Sequence, residues 1–86
     1  VVYLQPYHDE AHRLLGQIYR RSGRLAEAVD AFRIAVWARE TVEARLQLAE
    51  TLSEQGNVTA AIAEVKRALQ LDPASTAARD LLARLG

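Results

Sequence analysis

The chain contains no cysteine, which excludes disulfides and thiolate metal ligation and leaves no redox signal to read. It carries no excess charge of either sign: eleven basic side chains balance eleven acidic ones. The basic surplus that a nucleic-acid partner calls for is therefore missing. No apolar run approaches the ~20 residues needed to cross a bilayer, so no membrane partner is expected. No signal peptide is visible, and the chain opens Val1-Val2 without Met, as a fragment or a processed piece would. What is present is 86 residues, half of them hydrophobic. That suits one globular domain, of a size that buries only a little over ~60% of its unfolded surface.

Catalytic constellations are also missing. His8 and His12 stand four apart on one predicted helix, a spacing that can chelate a metal. The zinc-protease motif needs Glu directly after the first His, but Asp9 is there, and no third ligand is evident. The mixed charges fit the start of a helix better, and His12 falls at a helix-packing slot. Ser22, Ser53, Ser75 and the threonines read as loop or cap residues, with no strand–turn–helix context for a nucleophile. No glycine-rich phosphate loop occurs. Leu14, Leu15 and Tyr19 are expected in the core rather than around a cofactor. The expectation is a protein that is not an enzyme and holds no metal or cofactor.

The positive signal is repetition. Gly23-Arg24-Leu25-Ala26-Glu27-Ala28-Val29 aligns with Gly56-Asn57-Val58-Thr59-Ala60-Ala61-Ile62 at a shift of 33. At that shift Leu25 meets Val58, Ala28 meets Ala61, Phe32 meets Val65, and Ala35 meets Ala68. Upstream, Ala11 meets Ala44, Leu15 meets Leu48 and Tyr19 meets Leu52. At a shift of 34, Ala44, Arg45 and Leu48 meet Ala78, Arg79 and Leu82. Stepping back from Leu71 and Pro73 brings Leu4 and Pro6 into the same register.

Inside each unit the apolar spacing is helical. Leu25, Ala28, Val29, Phe32, Ala35 and Val36 follow i, i+3, i+4, i+7, with Glu27, Asp30 and Arg33 on the other side. Ala11, Leu14, Leu15, Ile18 and Tyr19 trace an earlier stripe. Gly23 and Gly56 suit the left-handed position that closes a helix, and Asn57 suits an N-cap. Asp72-Pro73 is expected to end one helix and open the next. The spacing predicts five helices over about 8–21, 25–38, 42–54, 58–70 and 75–85.

A 33–34-residue period with two helices per unit resembles the tetratricopeptide repeat. The first unit supplies Leu15, Gly16, Tyr19, Ala28, Phe32 and Ala35 at the family's signature slots. The second supplies Leu48, Ala49, Leu52, Ala61, Val65, Ala68 and Pro73. His12 and Arg45 stand where the family usually has Trp, and Glu40 replaces Pro in the first unit, which is one residue short. The resemblance covers essentially the whole chain. It implies an all-α solenoid of antiparallel helix pairs wound into a right-handed superhelix. Residues 1–8 would be the tail of a preceding repeat, 9–41 and 42–75 two full repeats, and 76–86 a capping helix. Leu81, Leu82 and Leu85 would cover the second repeat, with Arg79, Asp80 and Arg84 toward water.

The resemblance also implies function. In this family the first helix of each pair lines a concave surface that holds protein or peptide partners. The residues at its facing positions are Glu10, Arg13, Gln17 and Arg20 in the first unit. The second unit contributes Glu43, Leu46, Gln47, Glu50 and Ser53, and the cap contributes Asp80 and Arg84. A basic row thus faces an acidic one, which suits either a mixed-charge ligand or ion pairs within the chain. The family's clamp for C-terminal carboxylates is only half echoed, by Arg13, Gln17 and Gln47, because Ala77 and Leu81 are apolar where it has Lys and Arg. Trp37 takes a slot that is normally polar, occupied by Gln70 one unit later and by Tyr3 one unit earlier. Trp37 and Tyr3 could make an aromatic interface patch, or Trp37 could lie along its own helix. Self-association through Tyr3 and Trp37, or through the N-terminal end, is one further expectation. The contrasting reading is a structural segment of a larger protein with an empty groove.

Overall fold

The computed structural model of the protein describes residues 9–86. The stretch from Val1 to His8, including Tyr3 and the tail of a preceding repeat expected there, lies outside the described residues. Within them the chain forms five helices and no strand: α1 (Asp9–Arg21), α2 (Leu25–Ala38), α3 (Val42–Glu54), α4 (Val58–Leu71) and α5 (Thr76–Leu85). All five expected helices are present, with ends within a residue of expectation.

The two tight connections are built alike. Gly23 and Gly56 adopt φ of 80° and 86°, conformations that a residue with a side chain rarely takes. In the first, the Arg24 N–H donates to the Tyr19 carbonyl at 2.8 Å; in the second, Asn57 N–H donates to the Leu52 carbonyl at 2.9 Å. Those bonds satisfy carbonyls that the last helical turn leaves open. The looser connections are closed by hydroxyl caps. Thr41 accepts from the Ala44 N–H at 3.1 Å, and Ser75 accepts from the Ala78 N–H at 3.2 Å.

Pro73 corrects one expectation. It does not open α5: it sits in a turn after α4, where the Asp72 carboxylate accepts from the Ala74 N–H, and the helix begins only after Ser75. Two others fail on hydroxyl placement. Ser53 lies within the last turn of α3, and Thr51 is buried in mid-helix, where its hydroxyl donates to the Gln47 carbonyl at 2.8 Å. That bond satisfies a buried hydroxyl locally.

Packing runs along the chain. Each helix packs mainly on its neighbours in the chain, most closely within the pairs α1–α2 and α3–α4, and α5 makes a minor further contact with α3. The result is an open stack 46 × 28 × 16 Å in extent rather than a closed bundle. The small residues of the repeat lie where the helices meet. Ala28, Ala35, Ala49, Ala61 and Ala68 are all fully buried, as are Phe32 and Val65. Gly16 is buried too, and a Cβ added there would come within 2.6 Å of the Phe32 ring. Small side chains at these slots allow the close approach, and the larger neighbours fill the space beside them. At the C-terminal end, Leu81 is buried, with Leu82 and Leu85 packed against the core, while Arg79, Asp80 and Arg84 face water.

The N-terminal end departs from expectation. Leu14 is 53%, Leu15 41% and Ile18 58% exposed, so they are not core residues. Of that stripe only Tyr19 packs against the core. The slot of Leu15 is filled in the second repeat by Leu48, which is 2% exposed because α2 and α4 enclose it. The sequence pattern is the same at both places; the second helix that would cover α1 is not among the described residues.

Candidate functional site

Helices α1 and α3 are the first helices of the two pairs, and the side chains expected to face a partner fall along them. Arg13, Gln17 and Arg20 project from α1 and are partly buried, while Glu10, near its start, is exposed. Glu43, Gln47 and Glu50 project from α3, with Glu43 the most exposed of the three. A cleft of about 400 Å³ lies between the helices, lined by Gln17, Arg20, Arg21, Gln47 and Glu54. Asp80 is exposed on α5, one helix further along. Leu46 does not join the row: it is buried in the core.

Across this face the basic and acidic rows pair with each other. Arg13 reaches Glu43 at 3.6 Å and Arg20 reaches Glu50 at 3.6 Å. Arg20 also donates its Nε to the Glu54 carboxylate. Partly exposed pairs of this kind each contribute only ~0–1 kcal/mol. The face therefore presents alternating charge with little net field. Among the described residues, Arg13 Nε and Gln47 Oε1 are buried side-chain polar atoms without a hydrogen-bond partner. One is a donor on α1 and the other an acceptor on α3, and both are enclosed by their surroundings.

Glu54 and Arg21 were not among the residues anticipated for this face. Glu54 was legible in principle, because it follows Glu50 by four and so shares its helix face. Arg21 lies beside Arg20 at the end of α1, where helical spacing alone does not separate groove from end.

Trp37 lies elsewhere. It is 70% exposed on α2 and lines a separate cleft of about 390 Å³ with Arg33, Val36 and Leu48. The same cleft is bordered by an ion-pair cluster. Arg45 donates to Glu64 at 2.5 Å and to Glu40 from both Nε, at 2.9 Å, and a terminal nitrogen. Burial opposes the charge on Arg45, but its hydrogen bonds to Glu40 and Glu64 and the charges of those carboxylates outweigh it and raise its pKa above the ordinary value. Glu40 and Arg45 therefore tie the shortened turn to α3 and α4, at the places where Pro and Trp were expected from the pattern. Tyr3, the aromatic expected beside Trp37, lies outside the described residues.

Among the described residues no group of three potential ligands is placed to hold a metal ion. No described helix is long and apolar enough to cross a membrane.

Comparison with known families gives two matches, each described as a tetratricopeptide repeat. One covers residues 42–85 and the other residues 3–41. No curated protein matches the chain.

Proposed function

This chain belongs to the tetratricopeptide-repeat family, and from that premise we propose that it binds a protein or peptide along the face shared by α1 and α3. Repeats of this family are generally protein–protein interaction modules on non-catalytic scaffolds. We assign residues 9–41 and 42–75 as two repeats and 76–86 as the cap. The partner-binding residues are Glu10, Arg13, Gln17 and Arg20 with Glu43, Gln47, Glu50 and Asp80, and Trp37 forms a separate contact point. The observation that carries the reading is the cleft between α1 and α3, lined by Gln17, Arg20 and Arg21 on one side and by Gln47 and Glu54 on the other. A polypeptide backbone offers donors and acceptors to the amides of Gln17 and Gln47, and its side chains can exchange with the existing ion pairs. Because the rows neutralise each other, the ligand is of mixed charge rather than strongly acidic or basic.

The test is a displayed-peptide selection against the wild-type chain, followed by the Arg13→Glu/Arg20→Glu variant. Both side chains lie outside the core, so the helical circular dichroism should be unchanged. Selected peptides should bind the variant about 10-fold more weakly or worse. Equal binding to both proteins would count against this face.

A second reading, a structural or oligomerisation segment of a larger multidomain protein with no groove ligand, draws support from the same ion pairs. Arg13 and Arg20 already have partners within the chain.

A further inference from the structure

Charge is not spread evenly inside the groove along α1 and α3. The cleft of about 400 Å³ continues past Arg20 and Glu54, which border both, into one of about 250 Å³ lined also by Glu50, Leu81 and Arg84. A third, of about 370 Å³, lies toward the other end of the same two helices, lined by Arg13 and Glu43 with Arg39. Five arginines and three glutamates line the three clefts, an excess of two positive charges in a chain that has no net charge. The Trp37 cleft, by contrast, has two charged side chains of each sign. Glu10 and Asp80, the other acidic side chains expected on this face, line none of the three.

Ion pairing sharpens the imbalance. Arg13 holds Glu43, and Arg20 holds both Glu50 and Glu54, so every glutamate of the groove is engaged. The remaining arginines, Arg39, Arg21 and Arg84, fall one to each cleft. All three are exposed, and none is in an ion pair among the described residues. Each cleft thus offers one free guanidinium and no free carboxylate. A guanidinium takes a carboxylate through two parallel N–H···O bonds, a fit in both charge and shape. Arg13 and Arg20 border successive clefts and stand seven residues apart, about 10 Å along α1 at 1.5 Å per residue. An extended peptide covers that distance in about three residues.

We propose that the groove takes an extended polypeptide segment whose acidic side chains stand about three residues apart, one carboxylate each for Arg39, Arg21 and Arg84. The inference rests on the partner-binding reading above and specifies its ligand. Neutral or basic residues between the acids keep the segment of mixed charge and leave the internal ion pairs in place. The three free arginines select where along the segment the carboxylates stand.

Peptides selected by display on the wild-type chain test this, with binding read by fluorescence anisotropy. They should be enriched in Asp and Glu at about three-residue spacing. The Arg21→Gln/Arg39→Gln/Arg84→Gln variant should bind them at least ~10-fold more weakly with unchanged helical circular dichroism, since all three side chains are exposed. Changing the selected acids to Gln or Asn in the peptides should weaken binding to the wild-type chain to the same extent, a test that leaves the protein untouched. Peptides weakened by Arg13→Glu/Arg20→Glu but not by the triple variant or by their own acid-to-amide changes would keep the groove and overturn this inference. Peptides that bind all variants equally, or a selection that yields no binder, would overturn both. Displacement by a single-stranded polynucleotide as effective as by free peptide would show general anion binding and overturn the inference as well.

Discussion

Where α1 crosses α2, Gly16 lies against Phe32; 33 residues on, the same two slots hold Ala49 and Val65. All four residues are buried. The first repeat combines no side chain with a large ring, and the second combines a methyl with a small branched chain. Total volume is shared between the slots rather than fixed at either one, as close packing requires. The comparison extends to the turns. Both repeats place a positive-φ Gly before the second helix, but Asn57 caps α4 through the Ala60 N–H, while Arg24 caps α2 with no side-chain bond. It extends to the ends as well: Leu48 has helices on both sides, and Leu15 in the same slot faces water. One sequence pattern can thus serve an interior position and an open end, and the neighbours decide which.

The largest expected effect separates the two leucines. Leu48→Ala should cost about 2–5 kcal/mol, the usual range for truncating a buried Leu. Leu15→Ala should cost well under half of that, because much of the side chain is already hydrated. Urea unfolding monitored by circular dichroism, at a concentration low enough to keep the chain monomeric, measures both. Equal losses would mean that Leu15 is covered in solution.

A smaller effect sharpens the difference between the turns. Arg24→Asn should copy the cap that Asn57 gives α4 and stabilise the chain by about 0.5–1 kcal/mol. It also removes the exposed Arg24–Glu27 ion pair at 3.7 Å, worth at most a few tenths of a kcal/mol at this exposure. Thermal unfolding should therefore move upward by a few degrees. A decrease would show that the ion pair, not the cap, holds the start of α2.

Much of this fold was legible because its signals are local. The left-handed Gly23 and Gly56, the cap at Asn57 and the helical spacing placed all five helices to within a residue. The small slots read correctly for a related reason: Ala28, Ala35, Ala61 and Ala68 are small wherever two helices touch. The misreadings involve what lies beyond the local pattern. Apolar periodicity marks the face of α1 that can be buried but not whether anything covers it, so Leu14, Leu15 and Ile18 were misplaced. Leu46 falls at a facing position by repeat count, yet its apolar side chain turns to the core. Pro73 can begin a helix, but the capping hydroxyl of Ser75 sets the actual start. In the candidate site, helical spacing brought Arg13, Gln17, Arg20, Gln47 and Glu50 to one face. It left open whether Arg13 and Arg20 would meet Glu43 and Glu50 or a ligand, since that depends on the distance between α1 and α3.

The central claim is that the two helices of each repeat nest because a small slot on the first helix is matched in size to its neighbour on the second. A double-mutant cycle on Gly16→Ala and Phe32→Val, read by urea unfolding, tests it most directly. Gly16→Ala alone should destabilise by about 1–3 kcal/mol, since its Cβ meets the ring. Phe32→Val alone should lose a similar amount through the void it leaves. The double variant, which reproduces Ala49 with Val65, should lose at least ~1 kcal/mol less than the sum of the two. Strict additivity would contradict the account.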